Sequence, residues 1–208
     1  MTNRNEEFET PFFRFLSGDL PIHELEQWIY ATQELEHILG ATAYYQLVSF
    51  NYHQPGANYE LAKYIYGYID PSKYYTWQLK QLLIALLNNS QDTVELLHQL
   101  YDKYRHGFLF LDDVGFAYVF TMDDIPSIKD HEKWEEKEFH QRREALSALL
   151  SKLKPDIEML HAGLESGDIK ILNEREYIIE PNSAKKLADF RRPDKAKPTQ
   201  KKWWQIWR

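Results

Sequence analysis

The residues of this sequence that could bind a metal ion are concentrated in one charged stretch of its second half. His131 and Glu132 are followed there by Glu135, Glu136 and His140. A zincin-type site needs a second histidine four residues after the first, and that position is Glu135. Glu136 and His140 lie one helical turn apart, but the spacing specifies no third ligand. Because such runs usually form solvated helix faces with internal ion pairs, we predict no metal site.

The residue patterns used in covalent catalysis do not occur in this sequence. Cysteine is absent, which excludes disulfides and thiolate metal sites. Neither a Gly-x-Ser-x-Gly elbow nor a glycine-rich phosphate loop is found. Adjacent carboxylates do occur, at Asp112-Asp113, Asp123-Asp124 and Glu135-Glu136. General acid–base catalysis needs partners in space that such pairs do not supply, so we predict a non-enzymatic protein without a cofactor.

Charge is distributed very unevenly along the chain. The segment from Lys185 to Arg208 carries nine basic and two acidic residues, a net charge of +7. Since the whole chain has a formal net charge of -7, the remainder carries -14. An acidic body of this kind argues against binding nucleic acid and suits a basic protein partner through electrostatic steering. The alternative is that the charge serves solubility alone.

One carboxylate lies at the edge of an apolar helix face. Helical spacing between Ile22 and Tyr30 places Glu26 beside Ile29, where it is partly removed from water. One interpretation is a boundary residue hydrogen-bonded to a tyrosine or a helix end. The other is a contact residue for a basic partner. The candidate partner-binding residues are Glu24, Glu26, Tyr30, Glu34, Glu36, Asp112 and Asp113.

Tyrosines are dense in the first half of the chain. Nine of the fourteen lie between Tyr44 and Tyr75. Tyrosines are enriched at protein interfaces, but they also serve as core residues with the hydroxyl at the surface. We favour the core interpretation.

Half of the six tryptophans occur in the last six residues. With the basic residues beside them, these tryptophans are candidates for docking or membrane contact. The candidate residues are Lys201, Lys202, Trp203, Trp204, Trp207 and Arg208. Three free tryptophans in water would form an exposed apolar patch. The tail can dock on its own acidic body or on a second copy, giving a homo-oligomer. It can also lie at a membrane surface or serve as a recognition peptide.

Hydrophobic periodicity predicts a mainly α fold, a multi-helix bundle with one or two short β-hairpins. Pro21 suits the first turn of a helix, and Thr32 and Asn58 are candidate caps for later helices. The segment from Ala41 to Tyr52 favours a helix over a strand. After Asp70-Pro71-Ser72, an apolar helix from Lys73 to Leu87 is expected near the centre of the core.

Two segments of the second half predict hairpins. Phe108 to Leu111 pairs with Phe116 to Phe120, and Ile169 to Leu172 pairs with Tyr177 to Ile179. Between them, Pro155 is expected to kink or end a long helix.

The expected organisation is a single helical domain over residues 1–190 with a candidate internal boundary near 107–125. Residues 191–208 form a basic Pro/Lys linker with the Trp-rich tail. Glu6, Glu7 and Glu9 stand where a secretory signal would be positive, and no apolar run is long enough to span a bilayer. We therefore expect a cytoplasmic protein.

The segment from Phe15 to Tyr30, with its continuation Glu34 to Gly40 and Tyr44 to Tyr52, resembles small bacterial immunity proteins of polymorphic or contact-dependent toxin systems. The resemblance covers residues 12–52 and rests on structural spacing, with no reactive residue. It implies a cytosolic, non-enzymatic protein that binds one cognate toxin and blocks it. The alternative is a membrane-peripheral or oligomerising adaptor that acts through the tail.

Overall fold

The computed structural model of the chain describes residues 4–88, 93–117 and 136–181. Within these residues the protein is mainly helical with one small antiparallel sheet, which confirms the predicted fold class. The helices are α1 (Arg4–Leu16), α2 (Ile22–Ala31), α3 (Leu35–Leu39), α4 (Ala41–Val48), α5 (Ala57–Tyr66), α6 (Pro71–Leu87), α7 (Thr93–Arg105), a 3-10 turn (Leu109–Leu111), α8 (residues 112–117) and α9 (Glu136–Ser166). The strands are β1 (Ile169–Ile171) and β2 (Tyr177–Ile179).

Of the helices α2 to α6, only α6 begins with a side-chain cap, and two predicted caps are wrong. The Asp70 side chain accepts a hydrogen bond from the backbone N–H of Ser72 at 2.9 Å. Asp70 is the capping residue, and α6 begins directly after it, at Pro71. Asn58 lies inside α5, because Gly56 takes the capping position in a left-handed conformation at φ 77°. The Thr32 hydroxyl donates to the carbonyl of Trp28 at 2.8 Å, so it closes α2 and does not cap α3.

Of the two predicted hairpins, the second is confirmed. Strands β1 and β2 pair in the register Ile169 with Ile179, Lys170 with Ile178 and Ile171 with Tyr177. Ile169 and Ile171 are buried, and β1 packs against α6 and α9.

The first predicted hairpin is wrong. Leu109–Leu111 is a 3-10 turn that leads into helix α8, and residues 118–120 lie outside the described chain. The buried residues Leu111, Val114 and Ala117 recur every three residues, which is a helical spacing. Helix α9 continues through Pro155, so the end expected there is wrong, whereas the expected kink stays a prediction. Leu153, Ile157 and Leu160 are buried on both sides of that proline, and this burial offsets its helix-breaking cost of about 3 kcal/mol.

The core consists of two apolar clusters. The N-terminal cluster is built from α1 to α5 around Leu25, Ile29 and Leu61, and the C-terminal cluster from α6 to α9 and β1 around Leu83 and Leu97.

The clusters meet where α1 packs on the start of α6. The buried rings of Phe13 and Tyr74 lie 5.7 Å apart there, and Lys73 pairs with Glu9 at 2.9 Å. Among the described helices, none is long and apolar enough to cross a membrane. Much of the candidate boundary near 107–125 lies outside the described residues, so it stays a prediction.

Candidate functional site

Five of the seven predicted partner-binding residues belong to α2, or to α3 and the residue before it. Glu24, Glu34 and Glu36 are exposed, Tyr30 is 49% exposed and Glu26 is half-buried. Within the described part of the chain, no ion pair involves any of these four carboxylates. We call these five residues the acidic surface.

The local charge around this surface is strongly negative. Between residues 17 and 69, six carboxylates stand against one lysine, Lys63, and three histidines, His23, His37 and His53. This excess of negative charge attracts a cationic partner, and salt reduces the distance over which the attraction acts.

The other two predicted residues lie elsewhere in the fold. Asp112 and Asp113 begin α8, which packs in the C-terminal cluster. The carboxylate of Asp112 accepts the backbone N–H of the next residue, Asp113, at 2.9 Å. Asp112 itself has helical backbone angles (φ -50°, ψ -53°), so this bond is not the bond of a helix cap.

Glu26 belongs to a small aromatic cluster. The hydroxyl of Tyr30 donates to the carbonyl of Val48 at 3.2 Å, and that of Tyr52 donates to the carbonyl of Leu47 at 2.7 Å. Partial burial and the negative charge of the neighbouring Glu26 carboxylate raise the pKa of Tyr30. Burial, Tyr30 and Glu26 together raise the pKa of Tyr52. The tyrosines thus tie α2 to the end of α4, and Glu26 fits the boundary interpretation.

A second tyrosine pair lies along the other side of α4. The hydroxyl of Tyr64 lies 3.0 Å from that of Tyr68, and Tyr68 donates to the side-chain oxygen of Gln46 at 2.8 Å. Tyr64 also contacts that oxygen. Burial and the hydrogen bond with Tyr68 raise the pKa of Tyr64.

The nine tyrosines from Tyr44 to Tyr75 are less buried than expected. Only Tyr52 and Tyr74 are fully buried, whereas Tyr45 and Tyr59 are each 71% exposed. In α5 the residues Leu61 and Ile65 take the core positions, so Tyr59 is left on the outer side. Exposed tyrosines give a large contact area at low entropy cost, which is the property that interfaces use.

An apolar recess of about 170 Å³ opens beside the acidic surface. Its walls come from α1, α3, α4 and α5, and Ile38 at its edge is 39% exposed. Ile38 lies two residues after Glu36 on the same short helix, so the apolar and acidic side chains project from different sides of α3. The sequence did not predict this recess, because its walls come from four separate helices.

Several residues considered as candidates for catalysis, metal binding or tail contacts lie outside the described chain. These are Asp123, Asp124, His131, Glu132 and Glu135, together with the whole tail: Lys201, Lys202, Trp203, Trp204, Trp207 and Arg208. Glu136 and His140 belong to the first turns of α9. Among the described residues, no group of three or more histidines or carboxylates could hold a metal ion.

The raised pKa of Tyr52 predicts a loss of stability in alkali. Its hydroxyl deprotonates near pH 10 in the unfolded chain but at higher pH in the folded protein, so the folded state retains the proton longer. The free energy of unfolding therefore falls as pH rises above about 10, by at most about 1.4 kcal/mol per pH unit for this group. Urea unfolding between about pH 9 and 11, compared with Tyr52→Phe, measures the effect.

The Tyr52→Phe variant should show a smaller fall with pH than the wild type. Lys103, whose pKa is lowered by burial, is common to both proteins and cancels in the difference. Tyr45→Phe removes an exposed hydroxyl and should follow the wild-type curve. Parallel curves for wild type and Tyr52→Phe would contradict the prediction.

Comparison of the chain with protein-family models, with curated proteins and with solved structures finds no match.

Proposed function

We propose that this protein is a non-enzymatic binding module that neutralises a basic toxin domain by direct contact through the acidic surface. The observation that carries the proposal is that Glu24, Glu34 and Glu36, close together in the sequence, are all exposed and have no ion-pair partner in the described chain. Such a group attracts a cationic protein over long distances and orients it before contact.

The neighbouring side chains support a protein partner rather than a small cation. Tyr30 and Tyr45 present exposed rings, and Ile38 borders an apolar recess. Specific interfaces combine aromatic and apolar anchors at the centre with charged groups at the rim. The acidic surface and the recess together provide both components.

The resemblance to bacterial immunity proteins involves the same part of the chain. Residues 12–52 run from the second half of α1 to just beyond α4, so they include the whole acidic surface. The carboxylates of this surface would occupy the position that substrate phosphates take in a basic nuclease. The cognate toxin would be blocked in the cytosol by a one-to-one complex without turnover.

The test begins by asking whether a gene beside this one encodes a toxin C-terminal domain, and that domain is then the ligand for titration calorimetry. The triple variant Glu24→Gln, Glu34→Gln and Glu36→Gln should bind at least about tenfold more weakly, because three charges are lost from the contact. Its affinity should also depend less on salt concentration. The variant should protect cells against the toxin less well than the wild type.

A matched control changes three exposed carboxylates of the other cluster: Glu95→Gln, Glu144→Gln and Glu158→Gln. This control should bind like the wild type, as should a chain truncated before Lys201 if the tail is not the interface. Wild-type affinity in the acidic-surface variant would overturn the proposal. Binding lost only on truncation would favour an adaptor acting through the tail.

A further inference from the structure

A second cleft lies where the two apolar clusters meet, and its chemistry differs from that of the acidic surface. It encloses about 530 Å³ between α1, α6, the end of α9 and β1. Three lysines line it, namely Lys73, Lys80 and Lys170. Clefts of this size at the junction of two packing units are typical places for small-molecule binding.

The α6 wall of this cleft alternates positive charge with an aromatic ring. Lys73 and Lys80 are seven residues apart, so they project from the same side of the helix about 10 Å apart along its axis. Trp77 lies between them and also lines the cleft. Its half-buried ring packs against Phe13 of α1 at a centroid distance of 5.7 Å, which holds the indole in place.

Each of the three lysines is positioned by one carboxylate. Lys73 pairs with Glu9 at 2.9 Å, Lys80 with Glu165 at 2.8 Å and Lys170 with Glu180 at 3.0 Å. An ammonium group has three N–H donors, so one carboxylate does not saturate it. The three carboxylates balance the charge of the three lysines, so an anion would bind here through the lysine N–H donors that the carboxylates leave unused.

The Lys80 pair can also open without leaving its carboxylate isolated. The Glu165 oxygen that accepts from Lys80 lies 4.0 Å from Nε2 of His161, one helical turn away on α9. Among the described residues, this buried nitrogen has no hydrogen-bond partner. An anion that competes for Lys80 therefore leaves Glu165 beside a second nitrogen, which lowers the cost of exchanging partners.

We propose that this cleft binds a small organic anion that has an aromatic ring packed against Trp77 and phosphate or carboxylate groups bound to Lys80 and Lys170. The ring requirement follows from the indole between the two α6 lysines. The charge requirement follows from lysines that reach the same cleft from α6 and β1. This site is independent of the acidic surface, which belongs to α2 and α3.

The test measures binding of adenosine triphosphate, as the probe, to the full chain by titration calorimetry at low salt. Saturable one-to-one binding is expected. Lys80→Gln and Lys170→Gln should each raise the dissociation constant about tenfold, since each removes one charged hydrogen bond. Lys80→Arg keeps the charge and should retain most of the binding. Lys152→Gln, an exposed lysine of α9 outside the cleft, is the matched control and should bind like the wild type.

Two further probes separate the contributions of ring and charge. Trp77→Leu should weaken binding of adenosine triphosphate but not of tripolyphosphate, which has no ring to stack. Adenosine alone should bind much more weakly than its triphosphate. The proposal is overturned if the triphosphate gives no saturable heat, or if Lys152→Gln weakens binding as much as Lys80→Gln. Binding of acidic peptides but not of the triphosphate would also overturn it.

Discussion

Replacement of Leu83 by alanine is expected to lower the free energy of unfolding by about 2–5 kcal/mol. Leu83 is fully buried in α6, which packs against α7, α9 and β1 in the C-terminal cluster. The shortened side chain loses apolar burial and leaves a cavity that the three surrounding elements cannot close by a simple shift. Urea unfolding followed by helical circular dichroism measures the change.

The matched control for this substitution is Gln81→Ala on the same helix. Gln81 is exposed, and alanine favours helix at least as well as glutamine, so the change should stay within about 0.5 kcal/mol. If Leu83→Ala lowers the free energy of unfolding no more than this control does, the C-terminal cluster is not packed as described.

The Phe13 and Tyr74 rings pack against each other where the two clusters meet, so a single unfolding transition is expected in both variants.

Replacement of Gly107 by alanine is expected to cost about 1–3 kcal/mol from backbone strain alone, with a further loss from a steric clash. Gly107 ends α7 with φ 126°, a conformation that L-residues rarely adopt. Its N–H donates to the carbonyl of Tyr104 at 3.1 Å, and the next N–H, of Phe108, donates to that of Lys103 at 3.1 Å. These are the paired bonds of a Schellman motif, in which glycine takes the left-handed position.

The clash arises from the loop between β1 and β2. A Cβ at position 107 would lie 3.1 Å from the backbone oxygen of Arg175, so the loop must move. Glu174 in the same loop raises the pKa of Lys103, although burial dominates and lowers it overall. A displaced loop would therefore also remove a favourable charge from a buried ammonium group.

Gly56→Ala separates the two costs. Gly56 also has a positive φ, of 77°, but a Cβ there meets nothing within 4 Å. It should lose only the strain energy of about 1–2 kcal/mol. Urea unfolding of both variants gives the comparison, and equal losses would show that the close approach of Arg175 contributes nothing.

Some elements follow directly from short-range sequence chemistry. Asp70-Pro71-Ser72 was predicted as the boundary before a helix from Lys73, and α6 begins within that boundary at Pro71, where an aspartate cap and a first-turn proline act over only three residues. The hairpin of β1 and β2 was predicted from two short apolar segments separated by turn residues.

Other elements depended on contacts with distant residues. Phe108 to Leu111 fits a strand by composition, yet it forms a 3-10 turn because the following residues pack as a helix. Short apolar segments carry too little periodicity to distinguish the two. Tyrosine burial was overestimated for a related reason, since composition does not reveal which side of a helix meets a neighbour.

The sequence by itself determined the helical class and the excess of negative charge, because these depend on composition and on neighbours within a few residues. Only the tertiary structure decided where the two apolar clusters divide and meet, and which side chains share a cleft. Lys73 and Lys170 line the same cleft although nearly a hundred residues separate them. Such contacts depend on how the helices pack in three dimensions, which local periodicity does not encode.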